Sequence, residues 1–96
     1  MKTYELAFKE TALKEWRKLD GSIQEQFKKK LSERLLHPRV EAARLSGMAD
    51  CYKIKLKASG YRLVYQVVDA QVLVVVIAVG KREGNAVYLK AGGRLG

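Results

Sequence analysis

After a short first segment, the spacing of apolar residues changes from a helical period to a strand period. Between residues 11 and 36 the apolar side chains recur every three or four positions, and after residue 50 they alternate or run continuously. Helices that are followed by a run of strands are typical of an α+β domain. At 96 residues the whole chain, 1–96, is predicted to form one domain with a modest core.

The first 40 residues predict one strand and two helices. Apolar and polar residues alternate from Tyr4 to Phe8, which indicates a first strand. Helical spacing from Thr11 to Leu19 predicts a first helix. Ser22 begins an S-x-x-E capping box, so a second helix is expected from there to about Leu36, where Pro38 ends it. The two helices are expected to form an antiparallel hairpin.

Three strands are predicted after residue 50, at Cys51 to Leu56, Tyr61 to Val68 and Val72 to Val79. The third is apolar throughout, as expected of a central strand that is covered on both faces. Gly80 is expected to end it. The predicted fold is therefore an N-terminal strand and a helical hairpin packed on an antiparallel β-sheet.

The tail contains four glycines, which argues against a stable terminal helix. These are Gly84, Gly92, Gly93 and Gly96. Residues 89–96 are accordingly expected to be poorly ordered.

The charge of the chain points to a polyanionic partner. There are 19 Lys and Arg against 10 Asp and Glu, a formal net charge of +9. The longest apolar run is much shorter than the roughly 20 residues of a membrane span, and the N-terminus lacks the apolar core of a signal peptide. A single cysteine, Cys51, cannot form a disulfide framework. We therefore expect a cytoplasmic protein with no membrane association.

Three cations are predicted to meet on one face of the hairpin that spans Lys57 to Gly60. If Leu56 pairs with Tyr61, Lys55 lies directly opposite Arg62, with Cβ atoms about 4.5–5.5 Å apart. Lys53 lies two residues before Lys55, on the same face and about 6.5–7 Å away. A bound phosphate would relieve the repulsion between these charges. The alternative is a solvated sheet face whose lysines spread apart.

Further candidates follow the third strand. Lys81 and Arg82 come directly after it, and Tyr88 lies six residues on. Tyrosine in a basic cleft can stack on a base, but it can equally anchor the tail. His37 is the only histidine and is interpreted as a residue of the helix end. An enzyme built on this sequence would therefore use lysine as its base, which neighbouring cations favour by lowering a lysine pKa.

No spacing of His and Cys predicts a metal site, and no Gly-rich loop predicts a nucleotide cofactor. The predicted polar faces of the helices are basic and are candidates for RNA binding, together with Lys81. They carry Lys14, Arg17, Lys18, Lys28, Lys29, Lys30 and Arg34.

Three segments of the chain resemble the RelE toxins of bacterial toxin–antitoxin systems. These are Ala12 to Leu19, Asp50 to Leu56 followed by Ser59 to Val67, and Val79 to Glu83 with Val87-Tyr88. The resemblance implies a microbial-RNase-like fold of the RelE/ParE type. It also implies an endonuclease that cuts mRNA in the ribosomal A site and leaves a 2′,3′-cyclic phosphate or 3′-phosphate.

The resemblance also implies roles for five residues. Lys53 and Lys55 would serve the general-base part of the reaction, with Lys55 activating the 2′-hydroxyl. Arg62 would stabilise the phosphorane-like transition state, and Arg82 would protonate or stabilise the leaving 5′-oxygen. Tyr88 would stack on and orient a codon base.

Its implied partners are an acidic RelB-type antitoxin that covers or displaces the C-terminal segment, the ribosome with its RNA and A-site mRNA, and operator DNA bound only as the toxin–antitoxin complex. Two alternatives remain: a ParE-like toxin that inhibits DNA gyrase without cutting RNA, and a plain basic nucleic-acid-binding module.

Overall fold

A computed structural model describes residues 3–81 and 86–95, and these form one mixed four-stranded sheet with helices on both faces. The strands are β1 (Glu5–Phe8), β2 (Cys51–Leu56), β3 (Tyr61–Val68) and β4 (Leu73–Lys81), and the helices are α1 (Glu10–Arg17), α2 (Gly21–Leu36) and α3 (Ala86–Leu95). Short 3₁₀ turns lie at Glu41–Ala43 and Asp69–Gln71. The predicted α+β class is confirmed.

The order of strands across the sheet is β1-β4-β3-β2. The predicted antiparallel pairing holds for β2 with β3 and for β3 with β4, but β1 pairs with β4 in parallel. The helical hairpin between β1 and the later strands supplies the long connection that a parallel pair needs. β4 is thus an interior strand, and it continues through Gly80 to Lys81 rather than ending at the glycine.

The helical hairpin covers one face of the sheet and α3 the other. On the first face, Ala12 and Trp16 of α1 and Phe27 and Leu31 of α2 pack with the strands in one apolar cluster. On the second face, a smaller cluster consists of Cys51, Val64, Ile77, Ala78, Val87 and Ala91. Cys51 is therefore a buried strand residue, as the sequence predicted.

Ile77 is the extra residue of a β-bulge. Val64 pairs with Ala78 while Tyr65, the next residue, pairs with Val76, so Ile77 has no partner on β3. Both Ile77 and Ala78 belong to the second cluster, and Val79 returns to the first.

The start of α2 differs from the predicted capping box. The helix begins at Gly21 with Asp20 as its N-cap, and no cap side chain bonds to the backbone. The carbonyl of Asp20 accepts hydrogen bonds from Ile23 and Gln24 at 3.0 Å each. The N-cap therefore lies two residues before the predicted Ser22, at Asp20. His37 follows the helix as its C-cap, in agreement with the prediction.

The C-terminal segment forms helix α3, contrary to the prediction from its glycines. Val87 and Ala91 are 4% and 0% exposed and pack against the sheet. Burial of this face outweighs the poor helix propensity of Gly92 and Gly93, because packing supplies most of the stability of a short protein helix.

Candidate nucleic-acid site

The predicted register of the β2–β3 hairpin is confirmed. Lys55 pairs directly with Arg62, and Lys53 pairs with Val64. Because strand side chains alternate, Lys53 and Lys55 share the face of Cys51, and Arg62 shares the face of Val64. These three residues, which we call the hairpin cation site, thus lie on the α3 face of the sheet.

The hairpin cation site lies beside the second apolar cluster, next to the start of α3: Arg62 pairs with Gly80, and Val87 lies close to that glycine. Lys55 is exposed, and Lys53 and Arg62 are half-buried. A cleft of about 290 Å³ runs along this end of the hairpin. Its lining consists of Lys55, Leu56, Lys57, Gly60, Tyr61 and Arg62. Lys55, Lys57 and Arg62 place three cations on its wall, which suits it to a phosphate group.

Tyr88 connects α3 to the site. Arg62 donates a hydrogen bond from Nη1 to the Tyr88 hydroxyl at 3.2 Å, and its guanidinium carbon lies 5.4 Å from the centroid of the ring. The contact combines a hydrogen bond with a cation–π interaction. Tyr88 is half-buried and also packs against the second cluster. The ring therefore anchors α3, as one interpretation predicted, and it also adjoins the cations; stacking on a base stays a prediction.

Arg82, the remaining predicted catalytic residue, lies outside the described residues. Lys81 is exposed at the last position of β4, opposite Tyr61. Tyr61 packs against the first cluster, so Lys81 points away from the face of Lys55 and Arg62.

Most of the predicted RNA-binding cations are exposed on the helices. On α1 and directly after it are Lys14, Arg17 and Lys18; on α2 are Lys28, Lys29 and Lys30. Lys28 forms an exposed ion pair with Glu25 at 3.3 Å. Such pairs contribute little to stability, so Lys28 can exchange this carboxylate for a phosphate.

Arg34 differs from these cations because its guanidinium bonds to residues outside its own helix. Nη1 donates to the Tyr65 hydroxyl at 2.9 Å and to the carbonyl of Lys53 at 3.2 Å. The Tyr65 hydroxyl in turn donates to the carbonyl of Pro38 at 2.6 Å. Burial raises the pKa of Tyr65, and Arg34 partly offsets this. Arg34 thus joins the end of α2 to the backbone of the strand that carries the hairpin cation site.

Sequence reasoning missed Glu15, the acidic residue within the basic run of α1. Its carboxylate binds Arg94 of α3 through Oε1 at 2.8 Å and Lys90 through Oε2 at 3.3 Å. It also accepts a hydrogen bond from the backbone N–H of Val79 at 3.3 Å. Burial opposes the charge on Glu15, but the bonds from Arg94, Val79 and Lys90 outweigh it and lower the pKa of the carboxyl group. A lone Glu between cations was the only signal in the sequence.

Two negative observations apply to the described part of the chain. Residues 3–81 and 86–95 contain no group of three His, Cys, Asp or Glu that could hold a metal ion. In the same ranges, no helix has the length and apolar character needed to cross a bilayer.

Comparison with known proteins supports the resemblance seen in the sequence. A family model described as the ParE toxin of the type II toxin–antitoxin system parDE matches residues 6–86. The mRNA interferase toxin RelE of Escherichia coli K12 is 64% identical over 88 residues, which are 92% of this chain and 93% of that protein.

Solved structures agree with this match. A double mutant of E. coli RelE in the free state is similar with a TM-score of 0.90 at 60% identity, over 97% of this chain and 98% of that one. RelE in the intact E. coli RelBE toxin–antitoxin complex gives a TM-score of 0.81 at 65% identity, over 83% and 98%.

Proposed function

Because this chain belongs to the RelE/ParE family of type II toxins, we propose that it is an endoribonuclease that cuts mRNA in the A site of translating ribosomes. The observation that carries the proposal is the register of the hairpin, which sets Lys55 opposite Arg62. Two cations at directly opposed positions concentrate positive charge on one patch of the sheet, and an RNA phosphate between them would bind there through both.

The reaction follows from the groups at the site. Lys55 accepts the proton of the 2′-hydroxyl, and the resulting 2′-oxygen attacks the adjacent phosphorus. The bond to the 5′-oxygen breaks, which leaves a 2′,3′-cyclic phosphate and a 5′-hydroxyl. Arg62 stabilises the charge of the phosphorane-like transition state. Lys53 adds positive potential beside the general base, Lys55, and Arg82 protonates or stabilises the leaving 5′-oxygen.

Tyr88 stacks on a base of the A-site codon and holds the backbone next to Arg62. The protein alone orders little of the RNA, so the ribosome supplies the substrate geometry, and cleavage of free RNA is slow. The exposed cations of α1 and α2 dock on ribosomal RNA through phosphate contacts. This substrate places the protein in the cytoplasm.

The proposed partner is a RelB-type antitoxin. The E. coli relative is described as a complex with RelB, and the +9 charge of this chain suits an acidic partner. Such an antitoxin would neutralise the toxin by covering or displacing the C-terminal segment. The complex of both proteins, rather than the toxin alone, would bind operator DNA.

A translating extract tests the activity. The protein is added, and the 5′ ends of the mRNA are mapped by primer extension with and without an inhibitor of initiation. The proposal expects cuts that are in phase with the codons and that disappear when ribosomes are not loaded. Intact mRNA with continued translation would refute it.

The same preparation can be tested for inhibition of DNA gyrase supercoiling. The match of the family model to ParE favours this second candidate function. Inhibited gyrase together with intact mRNA would establish it in place of the nuclease.

Variants test the residue roles. Lys55→Ala and Arg82→Ala should abolish the codon-phased cuts and leave the circular dichroism spectrum unchanged. Arg44→Ala removes an exposed cation outside the hairpin cation site and serves as the matched control. Normal cutting by Lys55→Ala and Arg82→Ala would show that the roles are wrongly assigned, even if the activity itself is present.

A further inference from the structure

One carboxylate holds the C-terminal end of α3 on the body of the protein. Arg94 donates from Nη1 to Oε1 of Glu15 and to the carbonyl of Ile77, both at 2.8 Å, and from Nη2 to Oε2 of Glu15 at 3.3 Å. Lys9 donates from Nζ to the carbonyl of Arg94 at 2.9 Å. These bonds connect α3 to α1, to β4 and to the residue before α1.

This contact is shielded from solvent. The side chains of Glu15 and Arg94 are only 19% and 22% exposed, and Glu15 also accepts the Val79 N–H. A two-point contact between Arg and a carboxylate is strong and directional. Lys90, whose side chain is 54% exposed, makes a weaker outer contact with the same carboxylate.

The rest of α3 gives its docked position limited support. The helix has 10 residues, fewer than an isolated helix needs to be stable in water. Gly92 and Gly93 lower its propensity further. Val87 and Ala91 are its buried residues among those described, while Leu89 is 75% exposed. Packing of the buried face holds the helix on the sheet, and the ion pair adds to it by fixing the C-terminal end.

The docked position of α3 decides where Tyr88 lies. Tyr88 and Arg94 are six residues apart on the same helix, about 9 Å along its axis. Tyr88 meets Arg62 through one bond of 3.2 Å and a ring contact. If the end of α3 loosens, both contacts lose their geometry, although neither Glu15 nor Arg94 touches the RNA site.

We propose that Glu15 and Arg94 are positioning residues for mRNA cleavage, which act by holding α3 so that Tyr88 stays beside Arg62. The inference rests on the proposed function and assigns a role to a contact outside the hairpin cation site. Removing the pair lowers the fraction of molecules with a correctly placed Tyr88 and so lowers the rate of the chemical step.

A double-mutant cycle tests the inference in single-turnover cleavage on purified ribosomes with mRNA in the A site. The variants are Arg94→Ala, Tyr88→Ala and the double variant. Loss of a hydrogen bond to a charged group predicts a decrease of about tenfold or more in the maximum rate for Arg94→Ala, with a smaller change in the half-saturating concentration. In the Tyr88→Ala background the same substitution should have little further effect. An equal loss in both backgrounds would mean a merely structural role and overturn the inference.

Conservative variants keep the test informative if Arg94→Ala folds poorly. Arg94→Lys retains the charge with one contact and should recover part of the rate. Glu15→Gln should reproduce the loss, and Lys90→Ala should lose less than either. Equal losses in Lys90→Ala and Arg94→Ala would contradict the argument from shielding.

A readout without ribosomes separates this inference from the proposed function. In NMR spectra of the wild-type protein, the Tyr88 ring should give nuclear Overhauser contacts to the Arg62 side chain, and Arg94→Ala should weaken them and speed hydrogen exchange in α3. Unchanged contacts would overturn the inference whether or not the protein cuts mRNA. Altered contacts in a protein that does not cut would instead indicate failure of the proposed function.

Discussion

Replacing Tyr65 with phenylalanine should destabilise the protein far more than the same change at Tyr52. The two rings stack with centroids 5.7 Å apart and are 0% and 2% exposed. Their hydroxyl groups differ in their partners. Tyr65 donates to the carbonyl of Pro38 and accepts from Arg34, whereas Tyr52 accepts one bond of 3.2 Å from the exposed Arg39.

The expected magnitude follows from these partners. Tyr65→Phe removes two hydrogen bonds and leaves a carbonyl of the buried Pro38 without this donor. The lost bond from Arg34 is worth about 1 kcal/mol, and the Pro38 carbonyl left unsatisfied costs about 1–3 kcal/mol. The total is about 2–4 kcal/mol, out of the roughly 5–15 kcal/mol typical of a domain. Tyr52→Phe should cost at most about 1 kcal/mol, because Arg39 keeps Asp50 and Asp69 as partners.

Urea unfolding followed by the fluorescence of Trp16 measures both changes. Trp16 packs against Phe8 and Phe27 within the first cluster, so its emission reports loss of the core. In a separate thermal unfolding experiment, the same loss of stability should lower the melting temperature of Tyr65→Phe by roughly 10–30 °C. Equal destabilisation by the two variants, or a loss below about 1 kcal/mol for Tyr65→Phe, would refute the reasoning. It would mean that water reaches the Pro38 carbonyl.

Three further results are expected. Because the pKa of Glu15 is lowered in the fold, its carboxylate stabilises the protein at a pH above the ordinary pKa of 4.5, and this stability is lost as the pH falls through the lower pKa of the folded state. The urea midpoint of the wild type should therefore fall more steeply on acidification than that of Glu15→Gln. Parallel curves for the two proteins would contradict this. Replacing Lys28, Lys29 and Lys30 with Gln should lower kcat/KM for ribosome-bound mRNA and reduce its log–log salt slope by about 2 to 3, and an unchanged slope would exclude this docking face. Gly80→Ala places a Cβ 3.3 Å from Cγ2 of Val87, so it should destabilise the protein by about 1 kcal/mol and speed hydrogen exchange in α3. At Gly93 a Cβ meets nothing within 4 Å, so Gly93→Ala should slow hydrogen exchange in α3. The opposite order would contradict the packing argument.

The hairpin could be predicted from the sequence because local rules determine it. The alternation of β2 and β3 and the short turn between them leave one register that buries Ile54 and Leu63 on the same face, and this register sets Lys55 opposite Arg62. The start of α2 was harder to predict, because the capping motif at Ser22 is a weak signal beside the preceding Asp20-Gly21 pair, which can already begin the helix.

Longer-range contacts could not be predicted in this way. Helix periodicity places Arg34 near the edge of the polar face, but it does not reveal that the long side chain reaches Tyr65, 31 residues away. Glu15 and Arg94 are 79 residues apart, and only the assembled sheet brings them together. The same holds for α3. Its glycines lower the helix propensity that can be read from the sequence, but its stability comes from the face that it buries.

The bulge at Ile77 determines which side chains of β4 face α3 near the site. Strict alternation from Val74 onward would put Lys81 on the α3 face of the sheet. Because Ile77 is an extra residue, Gly80 lies there instead, on the face of Arg62 and close to Val87. Deleting Val79, beyond the bulge, would set Lys81 opposite Arg62 and put the bulk of a lysine where α3 now approaches the sheet, whereas deleting Ile77 would remove the bulge and leave Gly80 opposite Arg62. Deletion of Val79 should therefore disturb the site and the docking of α3 more than deletion of Ile77, although both shorten the chain by one residue.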